Sequence, residues 1–137
     1  MLIRTLGYAG ATFGAVALLA SLASYVALWR GGRLTPDYLR RRGLLDGWLL
    51  LTWTALTAGS VGLLAYAPWS PAAVRGALGM LVLWSLLYAG ANLRAYALMA
   101  GDLPARRPGA IVGIVFPVVL VAALAVGVHL TLARAGL

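Results

Sequence analysis

The stretch 108–133, PGAIVGIVFPVVLVAALAVGVHLTLA, decides the fold because it contains no Asp, Glu, Lys or Arg. A helix needs about 20 mostly apolar residues to cross a hydrocarbon core of roughly 30 Å. Three further runs, 5–29, 47–74 and 76–93, also lack these charged residues, so four candidate spans fill most of the 137-residue chain. The sequence therefore predicts an all-α, polytopic integral membrane protein with four transmembrane helices joined by short loops.

Overall composition supports the same class of protein. Hydrophobic residues make up 63% of the chain and charged residues 10%, whereas about a quarter of a typical soluble domain is charged. We predict a single transmembrane domain, 1–137, with helices at approximately 6–29, 44–67, 72–99 and 109–133. The first apolar run exceeds the roughly 7–15 residues of a signal-peptide core, so we expect it to be retained as a helix.

The positive charge of this chain is concentrated in the predicted loops. The net charge is +8 and all eleven basic residues are arginines. Five arginines fall in loop 1 and three at or in loop 3, namely Arg30, Arg33, Arg40, Arg41 and Arg42, then Arg94, Arg106 and Arg107. The opposite side receives Arg4, Arg75 and Arg134.

This arginine distribution predicts a topology. Short loops rich in Lys and Arg stay on the cytoplasmic side, so we expect loops 1 and 3 inside and both termini outside, in a plasma or inner membrane. The loop arginines are also expected to contact anionic lipid headgroups. A nucleic-acid partner is not expected, since no helix, sheet or aromatic platform is left outside the membrane to bind bases.

Small residues mark the expected helix contacts. Gly10 and Gly14 form a GxxxG motif on helix 1, and Gly59 and Gly62 lie close together on helix 2. In lipid, helices associate through close packing and interhelical hydrogen bonds, so these glycines and Asn92 are predicted packing residues. The chain has more such faces than an isolated bundle needs, and at least one is predicted to contact another polypeptide or an ordered lipid.

Polar side chains on helices 2 and 3 leave two interpretations open. Residues at four-residue steps share one side of helix 3: Trp84, Tyr88, Asn92 and Tyr96. Hydroxyl groups on helix 2 are predicted to bond to their own backbone: Thr52, Thr54, Thr57 and Ser60. Both sets could serve helix packing, or they could border a ligand crevice between the two helices.

Two further residues have predicted local roles. Asp46 is expected to cap the N-terminus of helix 2 or to pair with a loop arginine. Pro117, within helix 4, lacks a backbone N–H, so it is expected to bend the helix or to leave a carbonyl near Gly113 without its usual donor.

His129 is the only histidine in the chain. The spacing Ala125-x-x-x-His129 resembles the bacteriochlorophyll-binding helices of light-harvesting polypeptides, in which a small residue makes room for the ring. That resemblance implies a tetrapyrrole ligand at His129, whereas an interfacial, hydrogen-bonded histidine is the alternative. Coordination of a haem by two histidines of one chain is excluded by their number.

The segment RAYALMAGDLPARR, 94–107, resembles the membrane-associated eicosanoid and glutathione (MAPEG) family. The matching residues are Arg94, Tyr96, Gly101, Pro104 and Arg106. The resemblance implies four helices, a working side at the cytoplasmic loops and glutathione binding by a transferase. The segment RRGLLDGWL, 41–49, departs from the family pattern because it lacks the expected Asn and Glu.

The predicted function follows mainly from what the sequence lacks. Proton-driven transporters usually depend on an intramembrane carboxylate or histidine chain, and the acidic residues here fall outside the centres of the spans. We predict a small non-catalytic membrane subunit, without a cofactor, that packs within a larger complex or a homo-oligomer and contacts lipid. The alternatives are a small oligomeric channel or transporter, a MAPEG-like transferase, and a pigment- or haem-binding subunit.

Overall fold

The computed structural model describes residues 1–99 and 108–137. These residues form four α-helices: α1 (Leu2–Arg30), α2 (Pro36–Leu64), α3 (Ser70–Met99) and α4 (Pro108–Arg134). Each helix is long and apolar enough to span a membrane, and no strand occurs within these two ranges. The predicted all-α, four-helix membrane fold is confirmed.

The start of α2 differs from the sequence prediction. This helix begins at Pro36 rather than near Leu44, because the Thr35 side chain accepts a hydrogen bond from the Tyr38 main-chain N–H at 3.2 Å. Proline suits the first helical position, and arginine is a good helix former. Arg40, Arg41 and Arg42 therefore lie within α2 and not in a loop.

Consecutive helices pack side by side. α1 packs along α2, α2 along α3 and α3 along α4, whereas α1 and α4 touch only briefly. We call the end of the bundle that holds both termini and the α2–α3 turn the terminal end, and the opposite end the arginine end. At the terminal end, Arg4 Nε donates to Tyr66 Oη at 3.1 Å, and Arg75 Nη2 donates to the Leu137 main-chain oxygen at 2.6 Å.

The buried core lies in the half of the bundle nearer the terminal end. Its members come from α2, α3 and α4: Leu56, Leu63, Val74, Ala77 and Leu132. Leu132 is fully buried, and Ile3 of α1 packs against this cluster. All four helices therefore converge at the terminal end.

Glycines allow α1 and α2 to approach closely. A side-chain carbon on Gly14 would lie 2.5 Å from Thr57 Oγ1 and 3.1 Å from the Thr57 main-chain nitrogen. One on Gly10 would overlap the Ser60 hydroxyl, and one on Gly7 would lie 2.7 Å from a methyl group of Leu64. The GxxxG side of α1 is thus occupied by a helix of the same chain.

The α2–α3 contact uses glycine in the same way. A side-chain carbon on Gly59 would lie 3.0 Å from Val74 Cγ2, and one on Gly62 would lie 2.8 Å from the Ser70 side chain. Both glycines are buried. The four glycines predicted as packing residues therefore all face neighbouring helices of this chain.

Pro117 lies inside α4, which continues as one helix from Pro108 to Arg134. Because proline has no backbone N–H, the Gly113 carbonyl lacks its usual donor one turn later. Gly113 and Pro117 both border a cavity between α3 and α4.

Candidate functional site

The helices enclose a crevice toward the arginine end. Within residues 1–99 and 108–137, α2 and α4 both pack along α3, and their backbones do not come close to each other. This arrangement leaves the Trp84–Asn92 side of α3 between them, with a cavity of about 340 Å³ against α2 and one of about 230 Å³ against α4. We call these two adjoining cavities the arginine-end crevice.

Three residues of α3 border both cavities: Trp84, Tyr88 and Asn92. Their four-residue spacing places them on one side of the helix. The Trp84 and Tyr88 rings stack with centroids 5.1 Å apart and an interplanar angle of 10°. Asn92 Nδ2 donates to the Tyr88 carbonyl at 2.7 Å. This hydrogen bond lies within α3, whereas the sequence predicts that Asn92 packs against another helix.

Charged side chains of α2 border the cavity on the α2 side. Arg42 and Asp46 stand one helical turn apart and both line it. Asp46 Oδ2 accepts a hydrogen bond from the Tyr38 hydroxyl at 3.1 Å. The prediction that Asp46 caps the N-terminus of α2 is therefore wrong. Thr35 is the N-cap residue, and Asp46 lies nearly three turns into the helix.

Asp46 also borders a smaller cavity of about 160 Å³ on the opposite side, between α1 and α2. Tyr25 and Tyr38 line this cavity, together with the serines Ser21 and Ser24. Both serine hydroxyls donate to carbonyls of α1 at 2.8 Å. Polar side chains from α1 and α2 therefore line this cavity together with Asp46.

A hydrogen bond between α2 and α3 marks the inner limit of the crevice. Trp48 Nε1 donates to the Met80 carbonyl at 3.1 Å. Trp48 and Met80 both lie on the terminal-end side of the lining residues Asp46 and Trp84 along their helices. Toward the terminal end from this point, the close contacts of Gly59 and Gly62 hold α2 against α3.

One of the predicted headgroup arginines lines the crevice. Arg30, Arg33, Arg40 and Arg41 are exposed near the start of α2, whereas Arg42 borders the cavity. Two predicted headgroup residues and part of the MAPEG-like motif lie outside the described residues: Arg106, Arg107, Gly101 and Pro104. Of the remaining motif residues, Arg94 is exposed and Tyr96 is half-buried on the last turns of α3.

His129 lies at the other end of the molecule. It is exposed near the end of α4 and lines neither cavity of the arginine-end crevice. Ala125, the small residue one turn earlier, is half-buried. His129, the predicted tetrapyrrole ligand, therefore lies away from the crevice.

The threonine hydroxyl groups of α2 have local partners. Thr52, Thr54 and Thr57 donate to the carbonyls four residues earlier, at 2.8, 2.8 and 2.7 Å, which confirms the predicted backbone bonding for these threonines. The polar groups of α2 that do border the crevice are Arg42 and Asp46, which were predicted as loop and cap residues. Their four-residue spacing was the signal that could have placed them together, once α2 was extended to Pro36.

No protein-family model matches the chain, and no curated protein or solved structure is significantly similar to it. The resemblances to the MAPEG family and to light-harvesting helices therefore stay predictions from short motifs.

Proposed function

We propose that the chain is a small, non-catalytic integral membrane subunit that assembles with copies of itself or with other membrane proteins. The observation that supports this proposal is an open small-residue side of α3. Gly76, Gly79 and Gly90 are exposed, and a side-chain carbon on any of them would meet nothing within 4 Å among the described residues.

The three glycines occupy the same side of α3. Gly79 and Gly90 follow Gly76 by three and fourteen residues, which are close to one and four turns of a helix. The exposed Leu83 and Leu86 lie between Gly79 and Gly90 on the same side. We call these five residues the α3 face. Small residues are enriched where membrane helices meet, and this chain already uses glycine at its own α1–α2 and α2–α3 contacts.

The proposal is tested by the mass of the purified protein in mild detergent, measured by native mass spectrometry. We expect multiples of the 14.3-kDa chain or a stable complex with other membrane proteins. Gly79→Leu should shift the assembly toward the monomer, because the added side chain holds the α3 face away from its neighbour.

Gly47→Leu provides the matched control. Gly47 lies on α2, and a side-chain carbon there also meets nothing within 4 Å among the described residues, so both variants should fold. A strictly monomeric wild-type protein that copurifies with no partner would contradict the proposal. If Gly47→Leu reduces assembly as much as Gly79→Leu does, the effect is not specific to the α3 face, and the proposed role of that face is contradicted.

We further propose that the arginine end faces the cytoplasm of a plasma or inner membrane. The eight arginines of loops 1 and 3 and their flanks outnumber the three at the terminal end, and such an excess retains loops on the cytoplasmic side. A reporter fused after Leu137 should be active only outside the cytoplasm, and activity inside would contradict this orientation.

A further inference from the structure

We propose that the arginine-end crevice binds one zwitterionic amphiphile of betaine type, whose cation lies nearer its alkyl chain than its anion does. This inference is independent of the proposed assembly through the α3 face. It rests on the order of charges along α2, on the aromatic pair of α3 and on the apolar lining next to α4.

The order of charges follows from helix geometry. Arg42 stands four residues closer to the arginine end than Asp46, which corresponds to about 6 Å along α2. Helical side chains lean toward the N-terminus of their helix, and the longer arginine extends further in that direction. The crevice therefore presents a positive group at its mouth and a negative group deeper in the membrane.

An amphiphile enters this crevice with its alkyl chain toward the membrane centre. Its charges are complementary to the crevice only if its cation, next to the chain, reaches Asp46 and its anion reaches Arg42. A phosphocholine head has the opposite order, and it would bring its phosphate toward Asp46 and its ammonium toward Arg42. Like charges brought together in a partly desolvated site repel.

The aromatic residues suit the same cation. Trp84 and Tyr88 border the α2-side cavity together with Asp46, and aromatic rings attract quaternary ammonium groups. The adjoining cavity offers the apolar side chains of Ile114, Pro117 and Val118. From Asn92 to Trp84 the crevice follows α3 for roughly 12 Å, which accommodates part of an alkyl chain.

Two detergents that differ in charge order provide the test. The protein is purified in a neutral maltoside and titrated with dodecyl sulfobetaine, whose cation is next to the chain, or with dodecylphosphocholine, whose anion is next to the chain. Native mass spectrometry counts the bound molecules. We expect one sulfobetaine per chain and a preference of about tenfold over phosphocholine, the effect of one charge-assisted contact.

Variants assign the preference to the crevice. Asp46→Asn should remove the preference, and Arg42→Gln should weaken sulfobetaine binding about tenfold. Arg41→Gln is the matched control, because Arg41 is an exposed neighbour on the same turn that is not among the lining residues of the α2-side cavity. It should bind like the wild-type protein, and both arginine variants are expected to fold because their side chains are exposed.

Three outcomes would overturn the inference. The first is equal binding of the two detergents by the wild-type protein, and the second is an equal effect of Arg41→Gln and Arg42→Gln. The third concerns the occupant in the native membrane: a photo-crosslinker placed at Ala91, which lines the α2-side cavity, should capture lipid. Its capture of a polypeptide would show that the crevice is a protein interface.

Discussion

The helices pack closely at one end of this bundle and are separated by a crevice at the other. At the terminal end, glycines let α1, α2 and α3 approach until backbone and side-chain atoms touch, and Leu132 fills the remaining space. Toward the arginine end, bulky and polar residues keep α2, α3 and α4 apart around a crevice. Close packing therefore stabilises one end, while the other end retains a crevice lined by charged and aromatic side chains.

The largest difference between the two ends is expected from Gly14→Leu. The new side chain would overlap Thr57 Oγ1 and approach the Thr57 backbone, so the free energy of unfolding should fall by about 3 kcal/mol. Titration with a denaturing detergent, followed by circular dichroism, measures this change. Gly47→Leu, at an open position of α2 outside the α3 face, is the control, and an equal loss in both variants would contradict the glycine contact.

Leu132→Ala should have the next largest effect. Leu132 is fully buried where the four helices converge, and truncating a buried leucine costs about 2 kcal/mol or more. The same denaturation measurement applies. Leu130→Ala is the control because Leu130 is 49% exposed on the same helix; a cost as large as that of Leu132→Ala would argue against convergence at the terminal end.

Trp48→Phe addresses the boundary between the two ends. The substitution removes the hydrogen bond from Trp48 Nε1 to the Met80 carbonyl and should lower the free energy of unfolding by about 1 kcal/mol, as for other interhelical hydrogen bonds in membranes. The exposed Trp29 supplies the control Trp29→Phe. If the two variants are equally stable, the α2–α3 hydrogen bond contributes nothing.

Tyr38→Phe is expected to give the smallest change. It removes the hydroxyl that donates to Asp46 Oδ2 beside the cavity between α1 and α2, where other polar side chains remain next to the carboxylate, so the cost should be about 0.5 kcal/mol. The control is Tyr8→Phe at an exposed position of α1. A loss above that of Leu132→Ala would show that the arginine end, and not the terminal end, dominates stability.

The sequence predicted the four helices because their signals are local. Charge-free runs and flanking arginines are visible without any knowledge of helix partners. The start of α2 was predicted too late because the arginine cluster was assigned to a loop, whereas the Thr35–Pro36 start signal and the helix-forming tendency of arginine favour a helix.

The crevice was only partly predictable. The four-residue stripe on α3 was visible in the sequence, and a crevice between helices 2 and 3 was one of its two interpretations. The contribution of Arg42, Asp46 and Pro117 depends on which helices approach each other and at what depth. Such pairings depend on the complementary shapes of distant segments, as the contacts of Gly14 with Thr57 and of Gly59 with Val74 show.

The side-by-side order of the helices has a consequence for how the protein is made. α1 contacts α2 along its length and α4 only briefly, so the first hairpin contains both partners of its glycine contact before α3 and α4 have left the ribosome. Local contacts of this kind form early in synthesis. Because the chain has no native cysteine, a disulfide between cysteines placed at Gly10 and Ser60 in ribosome-bound nascent chains should form before α3 emerges, and its absence at that stage would contradict this order of assembly.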